Sequence, residues 1–183
     1  MSRRAALVDR DGTINIETPG TYVLEPDALR LLPGAARGLR HLRRAGLVIV
    51  VVSNQAPVAR GWIDASELEA INRRLRELLA SDDAEIDAIY SCPHDTGDAC
   101  GCRKPEPGLL LDAARDLDLD LAASFLVGDK GSDIEAGRRV GSTTVLVGTG
   151  QGRAALAEGV TADHVAADLE AAGAIIAALV GKG

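Results

Sequence analysis

The amino-acid sequence predicts an α/β protein, a three-layer α/β/α sandwich built on a mainly parallel sheet. Five short apolar runs, Ala5–Val8, Leu47–Val52, Ile86–Tyr90, Ser124–Val127 and Thr143–Val147, are each bounded by Gly, Asp, Ser or Pro and read as buried parallel strands. Helical patterns lie between them, and strand alternating with helix implies right-handed crossovers. Hydrophobic residues make up 46% of the chain and aromatics only 2%, so the core must come from Ala, Val, Leu and Ile, as in layered α/β proteins. With 183 residues and no evident repeat or linker, residues 1–183 read as one domain around a Rossmann-like sheet.

Taken in order, the first run ends in Asp9-Arg-Asp11-Gly12. Residues i and i+2 of an extended segment project to the same side, so both carboxylates can face one cavity while Gly12 lets the chain turn away. Such a string also occurs in calcium loops and ordinary turns. A helix-flanked calcium loop, however, needs further oxygen ligands where Ile14, Ile16 and Pro19 stand. The second run leads into Ser53-Asn-Gln55, whose hydroxyl and following amides can hold phosphate oxygens or simply form a turn. Asp64–Ala80 carries an apolar stripe of Leu68, Ile71, Leu75 and Leu78, opened by an Asp64/Glu67 capping box. Pro107 suits the first turn of a helix through Leu109–Leu117. The fourth run leads into Gly128-Asp-Lys-Gly-Ser-Asp133, where Asp129 and Asp133 could serve Mg²⁺. Ala171–Val180 reads as a C-terminal helix packed on the sheet. In open α/β sheets ligands bind beyond the carboxyl ends of the strands, which is where these polar motifs fall. They should converge on one cleft.

Only Ser91–Pro107 resists the alternating pattern, and it holds all three cysteines of the chain. Cys92-Pro-His94 and Cys100-Gly-Cys102 supply four zinc ligands in two short pairs, which suits a closed, structural tetrahedral site. A redox pair or coincidental buried thiols are the other readings. A zinc loop over residues 91–105 would carry Arg103 and Lys104 to the cleft and provide positive charge there.

The formal net charge is −7, which argues against nucleic acid or an anionic membrane as partner. A zinc loop acting as a nucleic-acid module is disfavoured for the same reason, and by the scarcity of aromatics. Arg3 and Arg4 precede only four apolar residues, too few for the core of a secretory signal, and Ala171–Val180 is far short of the roughly 20 residues needed to cross a bilayer. The expectation is a cytoplasmic monomer with reduced thiols. His41 and His164 stand apart from every motif, and Trp62 either flanks the cleft or packs over the following helix.

The order Asp-x-Asp-Gly-Thr, Ser-Asn, Lys-Pro and Gly-Asp-x-x-x-Asp resembles the haloacid dehalogenase superfamily of phosphatases, from about Ala5 to about Gly150. The resemblance implies Asp9 as the nucleophile that forms an aspartyl-phosphate and Asp11 as acid toward the leaving oxygen, then as base toward water. It further implies Mg²⁺ held by Asp9, the Asp11 carbonyl and Asp129 with Asp133 in support, and a phosphoryl group stabilised by Ser53 and Lys104. Asp11 is expected to start protonated. A phosphotransferase is a nearer rival than a binding module.

The zinc loop followed by Cys-Arg-Lys-Pro is similar to two families within that superfamily, the heptose-1,7-bisphosphate 7-phosphatases and the histidinol-phosphate phosphatases. Ala59-Arg-Gly61, Ala122–Lys130 and Val145–Gly150 look more like the heptose family, whereas the short zinc loop is nearer the histidinol type. The resemblance implies a phosphorylated sugar as substrate, with Arg10, Glu17, Thr21, Tyr22, Asn54, Gln55, Arg103 and Lys130 as its contacts. Between Asp11 and Ser53 there is room for no more than one helix, so no large cap domain is expected. The cleft would be covered by the Thr18–Tyr22 loop and the zinc loop.

Overall fold

A computed structural model describes residues 2–17 and 21–181. Six strands, β1 (Ala5–Val8), β2 (Val48–Asn54), β3 (Ala88–Cys92), β4 (Phe125–Gly128), β5 (Thr143–Val147) and β6 (His164–Ala166), form one sheet in the order β3-β2-β1-β4-β5-β6. Every pairing is parallel, with Val8 opposite Val51 of β2 and Val127 of β4. The helices are α1 (Ala35–Arg44), α2 (Ala56–Ala59), α3 (Ala65–Ser81), α4 (Gly108–Leu117), α5 (Gly131–Arg139), α6 (Gly152–Ala157) and α7 (Leu169–Val180).

The alternation of side chains along each strand divides the core into two layers. Ala6, Val8, Ile49, Val51, Val127 and Val145 pack against α1, α3 and α7. Ala5, Leu7, Val48, Val50, Val52 and Leu126 face the opposite side, where α4 and the zinc-loop thiols meet them. All four residues of β1 are fully buried, which explains why the apolar runs are continuous rather than alternating. Burial of each larger aliphatic side chain stabilises the fold by about 1.5–3 kcal/mol. The expected sandwich is therefore the observed one.

Boundaries shifted where local contacts decide them. β2 runs two residues past the apolar stretch, so Ser53 and Asn54 are strand residues paired with Ser91 and Cys92. β3 starts two residues later than the apolar run and ends on the first predicted zinc ligand. The α3 capping box forms both of its bonds, Glu67 N–H to Asp64 Oδ1 at 2.8 Å and Asp64 N–H to Glu67 Oε2 at 2.7 Å. Between β1 and β2 the described residues hold one turn of 3₁₀ helix, Pro26–Ala28, and α1, so there is no large cap.

β1 is flanked by β2 and β4, and strand order reverses beside it. A crevice opens at such a switch point beyond the strand termini, and Asp9 is the first residue past β1.

Candidate active site

Asp9 leaves the end of β1 with its N–H donated to the Val127 carbonyl at 2.9 Å, which fixes it beside the end of β4. Asp129, directly after β4, and Asp133 in the first turn of α5 join it. One oxygen from each of the three carboxylates lies within 4.8 Å of the others, and all three residues are buried. Lys104 reaches them from the far end of the zinc loop. Its ammonium donates to Asp9 Oδ1 at 2.6 Å and the Val52 carbonyl at 2.6 Å, and is ion-paired with Asp133 Oδ1 at 2.7 Å. Asn54 positions Lys104 through its backbone, accepting its N–H and donating to its carbonyl, both at 3.0 Å.

Three buried carboxylates outnumber the two ammonium groups that pair with them, Lys104 and Lys130. Burial raises Asp9 to about 6, offset in part by Lys104. It raises Asp129 to about 8, with the negative charge of Asp9 adding to the effect. Burial opposes the charge on Lys104, but Asp133 and Asp9 outweigh it and hold the ammonium protonated. Asp9 Oδ2 and Asp129 Oδ1 are buried with no hydrogen-bond partner. Unpaired buried carboxylate oxygens are costly, and an all-oxygen donor set suits a hard divalent cation such as Mg²⁺. The Asp11 carbonyl accepts a hydrogen bond from Lys130 Nζ at 3.4 Å, and that nitrogen is 3.8 Å from Asp129 Oδ1. These residues fit the ion that the sequence implied.

Two glycines make the close packing around Asp129 possible. Gly12 and Gly150 both have positive φ, and a Cβ at either would lie within 2.3 Å or 2.1 Å of Asp129 Oδ2. The backbone N–H of Gln151 donates to that oxygen at 2.8 Å.

Asp11 is held differently from the sequence expectation. It accepts hydrogen bonds from Arg10 at 3.0 and 3.2 Å, Asn15 at 2.9 Å and Gln55 at 2.7 Å. Burial pushes its carboxyl up, but the Arg10 charge and these donors outweigh it and hold it below the ordinary value. Asp11 is thus ionised in this arrangement, not protonated, because every neighbour donates to it. A proton can be taken up only as these bonds loosen.

A cleft of about 500 Å³ is lined by Asp9, Asp11, Glu17, Tyr22, Asn54, Arg103, Lys104, Lys130 and Asp133, among others. Arg103 is steadied by the zinc loop, donating to the His94 carbonyl at 2.8 Å and Thr96 Oγ1 at 3.2 Å. Lys130 is paired with Glu17 at 2.9 Å. Thr21 lines an adjoining pocket of about 210 Å³ with Glu17 and Tyr22. Thr18–Gly20 of the expected covering loop lie outside the described residues.

Other expected contacts fall outside the cleft lining. Arg10 is buried, its guanidinium spent on Asp11 and on Asn72 at 3.1 Å. Gln55 donates to both Asp11 and Ser53 Oγ, the latter at 2.7 Å, and both residues are buried behind the floor of the cleft. Asn72 was not singled out from the sequence. Its signal was a polar residue within the Leu68, Ile71, Leu75 stripe, a place where an amide needs a buried partner. His41 and His164 sit in α1 and β6, outside the cleft lining.

The four zinc candidates come together, with ligand atoms within 4.8 Å of one another. Cys92 Sγ is 3.9 Å from Cys100 Sγ and 3.5 Å from His94 Nδ1, and His94 Nδ1 is 3.2 Å from Cys102 Sγ. Zinc–sulfur and zinc–nitrogen bonds in a tetrahedron imply separations of about 3.8 and 3.5 Å. The nearest sulfurs, Cys92 and Cys102, are 2.8 Å apart, which is not a disulfide. Burial pushes the Cys92 thiol up to about 12, so a cation is required to hold it as thiolate. The donor set fits Zn²⁺ with no position left open.

Residues 101–172 match the HAD-hydrolase-like family model. The chain is 40% identical over 152 residues to the D-glycero-beta-D-manno-heptose-1,7-bisphosphate 7-phosphatase of Pseudomonas aeruginosa, covering 83% of this chain and 85% of that protein. It is 40% identical over 156 residues to the enzyme of that name from Escherichia coli K12, covering 80% of each. The crystal structure of D,D-heptose 1,7-bisphosphate phosphatase from B. bronchiseptica, complexed with magnesium and phosphate, matches 98% of this chain and 99% of that chain, with a TM-score of 0.89 at 36% identity.

Proposed function

Because the chain belongs to the haloacid dehalogenase-like heptose-1,7-bisphosphate 7-phosphatases, we propose that it hydrolyses the C7 phosphate of D-glycero-D-manno-heptose 1,7-bisphosphate, with preference for the β anomer. The products are heptose 1-phosphate and inorganic phosphate, and the first retains the anomeric phosphate needed for later nucleotidyl activation. The observation that carries the reading is the Asp9–Lys104–Asp133 cluster at the β1 switch point, in a cleft that also presents Arg103 and Lys130.

In this reading a carboxylate oxygen of Asp9 attacks phosphorus, the bond to the C7 oxygen breaks, and an aspartyl-phosphate forms. Asp11, having taken up a proton from solvent as its bonds to Arg10, Asn15 and Gln55 loosen, gives it to the departing alkoxide and afterwards takes one from the water that attacks the aspartyl-phosphate. Lys104 steadies the equatorial phosphoryl oxygens by exchanging one of its present partners for them. Mg²⁺, held by Asp9, the Asp11 carbonyl and Asp129 with Asp133 in support, supplies charge neutralisation of the phosphoryl group. Ser53 lies behind the cleft floor and supports this apparatus through Gln55. Arg103 takes the second phosphate, since a guanidinium can bind it bidentately. Cys92, His94, Cys100 and Cys102 would hold Zn²⁺, which would brace the loop that carries Arg103 and Lys104.

In the same reading the enzyme is a cytoplasmic monomer; the net charge of −7 disfavours nucleic-acid or anionic-membrane partners, and among the described residues no helix is long and apolar enough to cross a membrane. Comparing kcat/KM for the two anomers and for histidinol phosphate tests the assignment. The expected order is β, then α, then histidinol phosphate, because losing a recognised phosphate costs transition-state binding. A preference for histidinol phosphate over both bisphosphates overturns it.

A further inference from the structure

Arg60 caps the C-terminal end of α2, and its guanidinium serves two loops at once. On one side it forks onto Asp95, Nε to Oδ2 at 2.6 Å and Nη2 to Oδ1 at 2.8 Å. Asp95 follows the zinc ligand His94 directly, and its own Oδ1 accepts the N–H of Thr96 at 2.6 Å. On the other side the guanidinium lies 5.5 Å from the Tyr22 ring centroid and 5.0 Å from that of Trp62. The two rings meet edge to face at 5.7 Å. Tyr22 lines both the main cleft and its adjoining pocket. With no large cap, Tyr22 on one loop and Thr96 to Asp98 on the zinc loop line the cleft. Arg60 joins these two loops.

We propose that Arg60 is a positioning residue that ties the zinc loop to the Tyr22 lip, so that the metal-bound loop sets where Tyr22 stands against the substrate. An exposed ion pair usually contributes little, but bidentate geometry is the exception, and here the same cation also stacks on two aromatic faces. A backbone bond runs parallel to the Arg60 fork, Ala59 N–H to the Pro93 carbonyl at 3.0 Å, and fixes α2 against the same loop.

Trp62 is the only tryptophan in the chain, so its emission reports directly on the cluster. In the full-length protein, removing zinc with a selective chelator should shift Trp62 emission to longer wavelength. Arg60→Ala should show the shifted spectrum with zinc still bound, and no further shift on its removal. With heptose bisphosphate, Arg60→Ala and Asp95→Asn should raise KM about tenfold while kcat stays within about twofold, the pattern of lost positioning rather than lost chemistry. Arg60→Lys keeps the charge but not the fork and should fall with them, and it decides the matter if Arg60→Ala does not fold. An Arg60→Ala protein with unshifted emission, or with wild-type KM, overturns the proposal. The kinetic arm rests on the phosphatase reading; the emission arm does not. If the wild-type protein turns over no heptose bisphosphate, the phosphatase reading fails and the emission arm alone decides the tie.

Discussion

Lys104 Nζ lies 2.6 Å from Asp9 Oδ1 with both side chains almost wholly buried. The ammonium is therefore the fixed counter-charge of the residue assigned as nucleophile, and Asp133 shares it at 2.7 Å. Lys104→Met should leave two buried carboxylates without their cation, at a cost of about 3 kcal/mol in Mg²⁺-free buffer. Urea unfolding measures it, and turnover should be lost in the same variant. A change under about 0.5 kcal/mol would mean that the pair contributes nothing to the folded state.

Asp9→Asn removes the attacking oxygen while nearly preserving shape, so the protein should fold and lose activity by a factor on the order of 10⁴ or more. Asp11→Asn should behave otherwise. Loss of the proton donor should slow poor leaving groups far more than good ones such as p-nitrophenolate. Equal losses on both substrate types would remove Asp11 from the acid role.

Mg²⁺ binding should strengthen as pH rises. Asp9 and Asp129 have folded values of about 6 and about 8, both above the ordinary 3.8. Groups raised in the folded state contribute stability that is present below pH 4 and is lost as pH climbs through those values. Mg²⁺ requires the ionised forms and so offsets the loss. The increase in Tm caused by a fixed Mg²⁺ concentration should therefore be small at pH 5 and grow toward pH 8.5, and Asp129→Asn should diminish it throughout. A shift that is flat or shrinks with pH would contradict this site.

One zinc per chain should copurify when chelators are omitted, and added Mg²⁺ should not displace it. Cys102→Ser removes the ligand that directly precedes Arg103 and Lys104, so metal content and substrate affinity should fall together. Elemental analysis beside KM measurement checks both. A zinc-free protein with wild-type KM would leave the four side chains without a metal role.

Much of this molecule is written in local pattern. Continuous apolar runs and the stripe of α3 reveal buried strands and an amphipathic helix because burial imposes a period on nearby residues. Asp9, Asp129 and the Cys92–Cys102 ligands were legible for a related reason: chemistry demanding carboxylates or thiolates beside a strand end leaves a compact signature in the chain. Around His164 the sequence is only strand-like and β6 is not one of the five apolar runs, because three residues at a sheet edge, with Val165 half exposed, carry too short an apolar signal.

What the sequence by itself determined is the layer architecture, the motif residues and their convergence at the strand ends. Tertiary structure decided who faces whom. Arg10 turns inward to Asn72, 62 positions away, instead of outward to a ligand. Asp11 is surrounded by donors from Arg10, Asn15 and Gln55 and so is ionised. Arg60 meets Asp95 across two loops. These outcomes depend on side-chain direction and on the distances between separate elements, which the packing of the whole sheet and its helices sets, whereas periodicity and motif spacing act only between near neighbours in the chain.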